Sequence, residues 1–148
     1  MNPIVLEFAK ARVRGSERLR LKVYTDTTGN PTIGWGHKLL PDETLTEIGS
    51  LCAERMLNVD FDKHVAGALT HPCWSDDLAV GRQAALIDIA YNMGPDWWRE
   101  FTITTEHMKN GRWDAAGDTL LVSKYANQVR QRAVDNATML RTGEFCWT

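Results

Sequence analysis

The sequence is poor in cysteine and proline and has no long apolar run. Its three cysteines, Cys52, Cys73 and Cys146, show no Cys-x-x-Cys spacing. That excludes a complete disulfide framework and argues against a zinc site, and synthesis in a reducing compartment is the simplest explanation. No stretch of about 18 apolar residues occurs, so no membrane-spanning helix is expected. The N-terminal MNPIVLEFAKARVRG is interrupted by Glu7, Lys10, Arg12 and Arg14 and lacks the apolar centre of a signal peptide. Repeats, low-complexity tracts and linkers are missing too. What remains is 148 residues, 43% apolar and 24% charged, an ordinary globular composition. A chain of this length buries about 70% of the surface it exposes when unfolded, so neither metal nor disulfide is needed to hold it.

The net charge is only −2, but it is unevenly spread. Residues 1–37 carry six Lys/Arg against three Asp/Glu, residues 38–108 five against twelve, and residues 109–148 six against four. The basic ends either form a face for a polyanion or are simply solvated. Nothing in the pattern indicates nucleic acid as a partner.

Asn2-Pro3 reads as an N-cap followed by proline at the first helical position, starting a helix to about Ser16. Leu19, Leu21 and Val23 then alternate with Arg20, Lys22 and Tyr24, which is strand periodicity. Thr27-Thr28-Gly29-Asn30-Pro31 is a turn cluster, and residues 32–37 form the returning strand, giving a hairpin over 19–37. Gly34 and Gly36 are poor strand formers and mark close approach by another group. From Pro41 the pattern is helical, with Thr44-x-x-Glu47 fitting a capping box. Further helices are expected over 62–70, 80–92, 97–110, 113–122 and 125–140, broken at His71-Pro72, Gly94-Pro95 and Asn110-Gly111. The fold class is α+β, mostly helical, with one small sheet inserted early.

Glu17 falls where the first helix gives way to the hairpin, Asp26 at the end of its first strand and Thr32 at the start of its second. Folding the hairpin brings both carboxylates and the hydroxyl to one edge of a small sheet. Hydrolysis of a glycosidic bond needs such a set: an acid to protonate the leaving oxygen and a carboxylate to activate water. A hydroxyl can then orient that water. The spacing alone fits equally well a helix-end glutamate and a turn aspartate.

The segment from Glu17 to His37, ERLRLKVYTDTTGNPTIGWGH, resembles the phage lysozymes of the T-even type, glycoside hydrolase family 24. There a glutamate precedes an L-R-L-K-x-Y-x-D-T strand and then a T-I-G-x-G-H strand. RQAALIDIAYNMG from Arg82 to Gly94, Phe101-Thr102, Arg112-Trp113-Asp114, Asn127-Gln128 and Arg141-Thr142-Gly143 extend the resemblance over about 80% of the chain.

The resemblance implies Glu17 as general acid, with its site disfavouring the charge, and Asp26 with Thr32 as the water-activating pair. It also implies inversion at the anomeric carbon, with carboxyls about 6.5–9.5 Å apart. Arg132 corresponds to an arginine that pairs with the acid, against a plain surface cation. His37 and Asp60 correspond to a structural salt bridge. Tyr91 corresponds to a sugar-contacting aromatic, against a core tyrosine. Thr104 and Thr119 stand where the family has small polar sugar contacts, and Lys38, where the family is usually apolar, is a further candidate substrate contact. Trp35 can face either sugar or core.

The implied architecture is one lysozyme-like domain over 1–148: a sheet lobe at 13–58, a connecting helix at 58–70, and a helical lobe from 1–12 plus 70–148. The implied activity is hydrolysis of the β-1,4 bond between N-acetylmuramic acid and N-acetylglucosamine in peptidoglycan, without metal or cofactor, by a monomer. As an endolysin it would wait in the host cytoplasm until a separate holin releases it to the periplasm and wall. The segment between His37 and Asp60 is shorter than in the longest family members, so a small helix is expected to be missing. The slightly negative charge predicts a weak dependence on salt. The rivals are a lytic transglycosylase, a wall-binding module without catalysis, and a tail-associated enzyme or bacteriocin.

Overall fold

Asn2 starts the first helix as its side chain predicts, the Oδ1 accepting the Ile4 amide at 3.0 Å. The computed structural model describes residues 1–148, in the order α1 (Pro3–Ser16), β1 (Arg20–Thr25), β2 (Pro31–Gly34), β3 (His37–Lys38), α2 (Ser50–Ala68), α3 (Val80–Met93), a 3-10 turn (Trp97–Arg99), α4 (Thr102–Lys109), α5 (Trp113–Leu121), α6 (Lys124–Val129) and α7 (Gln131–Thr142). The fold is α+β: seven α-helices and a three-stranded antiparallel sheet in the order β1-β2-β3. The chain divides into two units, residues 13–63 and residues 1–12 with 64–148.

In the sheet-bearing unit the expected returning strand is two strands. Gly34 and Gly36, at φ +68° and +78°, turn the chain about Trp35, so β3 doubles back on β2. Cross-strand pairs Tyr24–Thr32 and Thr32–Lys38 line up one row across the sheet. The unit's core is Ile33, Ile48 and Ala53, with Leu21, Val23, Trp35, Leu39 and Met56 packed against it. Trp35 thus packs with the core.

The capping box at Thr44–Glu47 does not form. Glu47 bridges Lys22, the Val23 amide donates to the Thr46 carbonyl at 3.0 Å, and the Ile48 amide to the Leu21 carbonyl at 2.8 Å. The free edge of β1 needs backbone partners, and residues 46–48 supply them while burying Ile48. α2 therefore starts at Ser50, and no helix lies between β3 and α2.

In the helical unit α3 is buried on every side from Gln83 to Ala90, and α7 packs on α3, α5 and α6. Two expected helices are interrupted. The 97–110 stretch breaks at Phe101, whose backbone is not helical, behind the buried Trp97. The 125–140 stretch breaks at Arg130, a non-glycine residue at φ 45°, ψ −107°. That break lets Tyr125 of α6 turn back to α7, where Asn136 Nδ2 donates to its hydroxyl at 2.7 Å.

Candidate active site

Glu17 continues the last turn of α1, its amide donating to the Val13 carbonyl at 2.8 Å. Its half-buried side chain lies on the β2–β3 turn: a Cβ added to Gly36 would stand 2.8 Å from Glu17 Oε2 and 2.9 Å from its Cδ. Position 36 thus needs glycine twice, for its backbone and for the carboxyl on top of it.

Asp26 follows β1 and closes the hairpin loop. Its Oδ1 accepts three hydrogen bonds: from the Thr28 amide at 2.9 Å, the Thr28 hydroxyl at 2.8 Å and the Asn30 amide at 2.8 Å. Oδ2 has Lys38 Nζ at 4.0 Å. The Asn30 amide, with the Thr28 hydroxyl and amide, outweighs desolvation and holds the carboxyl below its ordinary range; the Lys38 charge adds a little. Asp26 is therefore an anion at neutral pH. Thr32 is 2% exposed, and its hydroxyl donates to the Asn30 carbonyl at 3.0 Å.

Tyr24 belongs to the same group and escaped the sequence reading. Burial raises its phenol pKa, the Glu17 charge raises it further, Arg20 opposes and Asp26 adds. The Arg20 guanidinium stands over its ring, 5.0 Å from the centroid. Strand alternation is the signal that could have found it, since Tyr24 and Asp26 fall two residues apart on one face.

His37 Nδ1 lies 2.7 Å from Asp60 Oδ2, and its Nε2 lies 3.0 Å from Glu43 Oε1. Burial alone would lower the imidazole pKa, but hydrogen bonds and charge from Asp60 and Glu43 raise it. Glu43 is held low by the Leu40 amide first and His37 second. The sequence reading named Asp60 and missed Glu43, which the Pro41–Asp42 turn brings back to the histidine. Both ring nitrogens face carboxylates, an arrangement for bracing β3 against α2.

In the helical unit Arg132 is bidentate to Asp88, Nε to Oδ2 at 2.8 Å and Nη2 to Oδ1 at 2.9 Å. Asp88 is completely buried. It also accepts Asn136 Nδ2 at 2.8 Å and has Arg12 Nη1 at 3.5 Å, while Arg12 donates to Asn136 Oδ1 at 2.8 Å. Burial pushes the Asp88 carboxyl up, but the Arg132 and Arg12 charges overcome it and the pKa is lowered. Asp88 and Arg12 also escaped the sequence reading. A lone charge within Leu86-Ile87-Asp88-Ile89-Ala90 was the available signal.

The Tyr91 ring packs on His64 with centroids 4.6 Å apart. The Thr104 and Thr119 hydroxyls bond each other at 2.8 Å, and Thr104 is only 3% exposed. Lys38 is open to solvent, 61% exposed.

Two carboxyls and a hydroxyl, those of Glu17, Asp26 and Thr32, thus lie in the sheet-bearing unit. The family model for phage lysozyme matches residues 14–138, a span that contains Glu17, Asp26, Thr32 and Arg132. The pre-baseplate central spike protein Gp5 of Enterobacteria phage T4 is 29% identical over a 157-residue alignment covering 88% of this chain and 27% of that protein. The chain thus spans about a quarter of the length of that relative. With the match running from the last turn of α1 into α7, the chain belongs to the phage lysozyme family.

Proposed function

We propose that the protein hydrolyses peptidoglycan at the β-1,4 bond between N-acetylmuramic acid and N-acetylglucosamine, with inversion, as members of glycoside hydrolase family 24 of the T-even type do. The observation that carries this reading is the contrast between the carboxyls. Glu17 lies half-buried against the bare backbone of Gly36, whereas Asp26, also half-buried, is triply hydrogen-bonded and anionic. Glu17 gives its proton to the leaving oxygen as the glycosidic bond breaks. A water adds to the anomeric carbon from the opposite face, and Asp26 takes its proton. Thr32 orients the water. Tyr91, Lys38 and Thr119 are the proposed sugar contacts, with Thr104 behind Thr119. Arg132 as partner of Glu17 rests on the resemblance, beside its observed pair with Asp88.

The test is digestion of purified peptidoglycan by the wild type and by Glu17→Gln. We expect reducing-end muropeptides from the wild type and at least a thousandfold less from the variant, about the scale on which losing a catalytic group acts. Anhydro-muropeptides, lighter by one water, would establish a lytic transglycosylase instead. Proton NMR of the first-formed anomer checks inversion.

As an endolysin, the enzyme would act as a monomer, held in the host cytoplasm and released to the wall by a separate holin. A second reading is favoured by the relative found: T4 Gp5 is a baseplate spike protein, so this domain could instead travel in the virion. Immunodetection in purified particles, against free protein in the lysate, separates the two.

A further inference from the structure

The loop over residues 26–30 is more than a turn. Asn30 holds both halves of the water-activating pair through one residue: its amide binds Asp26 Oδ1 at 2.8 Å, and its carbonyl accepts the Thr32 hydroxyl at 3.0 Å. Its side chain reaches further, Nδ2 donating to Thr28 Oγ1 at 2.8 Å. With that donor in place, the Thr28 hydroxyl proton points at Asp26 Oδ1, 2.8 Å away. The loop closes on itself through the Asp26 amide to the Asn30 carbonyl at 2.9 Å and the Gly29 amide to the Asp26 carbonyl at 3.1 Å.

We infer that Thr28 and Asn30 are positioning residues for hydrolysis: they saturate Asp26 Oδ1, leave Oδ2 as the one oxygen that takes the proton from water, and turn Thr32 into an acceptor toward that water. The inference rests on the glycosidase reading above. The proton count is closed. Thr32 spends its proton on the Asn30 carbonyl, so its oxygen can only accept from the water. One water hydrogen goes to Thr32 Oγ1 and the other to Asp26 Oδ2, leaving an oxygen lone pair for the anomeric carbon. The carboxylate cannot rotate its oxygens into each other's place without breaking three hydrogen bonds, so orientation is fixed before substrate arrives. The same bonds keep Asp26 ionised, in line with its lowered pKa. A plain turn would need only the backbone donors; the Asn30–Thr28–Asp26 side-chain relay adds nothing to chain reversal that those donors lack.

The test compares pH–rate profiles of the full chain on peptidoglycan for the wild type, Thr28→Val, Thr28→Ser and Asn30→Ala. Thr28→Val keeps both backbone donors and the side-chain shape but removes one donor to Oδ1. We expect its acid limb to move up by about half to one pH unit and kcat to fall about threefold to tenfold, with KM unchanged. Thr28→Ser should restore both. Asn30→Ala, which frees the Thr28 hydroxyl to rotate, should move the limb in the same direction by less. A purely structural loop would lower the melting temperature and leave the limb in place. An acid limb in Thr28→Val that coincides with the wild type overturns the inference, as does failure of serine to rescue. A wild type that releases no sugar overturns the glycosidase reading and this inference with it.

Discussion

Gly36 is the residue against which the Glu17 carboxyl lies. Its φ is +78°, and the Glu17 carboxyl lies within 3 Å of where an alanine Cβ would stand, so the carboxyl would have to move. Gly36→Ala must both strain the turn and displace Oε2, whereas Gly34→Ala strains the turn alone, its added Cβ meeting only ordinary contacts at 3.6 Å or more. We expect each to cost about 1–2 kcal/mol of stability from the backbone. Only Gly36→Ala should lose most of its clearing activity once the folded fraction is matched. Thermal melts with peptidoglycan turbidity assays check both, and equal activity in the two variants would mean that the Glu17 seat is unimportant.

Among the elements, the join between α6 and α7 carries unrelieved strain. Arg130, exposed at φ 45°, ψ −107°, occupies backbone space suited to glycine. Arg130→Gly should stabilise the protein by about 1 kcal/mol, seen as a higher urea midpoint at unchanged m-value, and a lower midpoint would show that its side chain matters more than its backbone. The same join shows what a sequence discloses. α1 was legible because its signal is local: Asn2 caps the helix it precedes. The Thr44–Glu47 box was equally local and misleading, because the free edge of β1 took those backbone groups first. The break at Arg130 was invisible, since it answers to Tyr125 meeting Asn136 and no turn-forming residue announces it. In the candidate site, Glu17, Asp26 and Thr32 were singled out by the resemblance, their spacing alone being weak evidence. Tyr24, Thr28, Asn30 and Glu43 were not, because their roles exist only once the hairpin and the Pro41 turn have closed. Asp88 needed the whole helical unit before its partners Arg12 and Arg132 could be seen.

At the scale of the molecule, the helical unit is organised around a buried charge cluster centred on Asp88. Asp88 is fully enclosed and balanced by Arg12 and Arg132 with Asn136 between them. Removing it takes the bidentate carboxylate from Arg132 and the nearer of two carboxylates from Arg12, which is 2% exposed and has Asp135 at 4.0 Å. Asp88→Ala should therefore cost about 3 kcal/mol or more, while the nearly isosteric Asn replacement keeps one acceptor but not the charge. The pH sign follows from the lowered carboxyl: its stabilisation is complete above the unfolded value of 3.8 and fades as pH falls through the lower folded value. The gap between wild type and Asp88→Ala in urea unfolding should be constant from pH 5 to 7 and narrow below about pH 4. A gap that widens in acid would mean the carboxyl is neutral when folded.

The loop that holds Asp26 has one more consequence, for observing the enzyme at work. The amide protons of Thr28 and Asn30 point at the carboxylate oxygen that shares its charge with the working one. Their NMR chemical shifts must follow every protonation of Asp26, so an isotope-labelled, unmutated protein carries its own pair of reporters on that carboxylate. Titrating those two signals in the presence of an added, uncleaved oligosaccharide would read the charge state of Asp26, with no dye and no substitution.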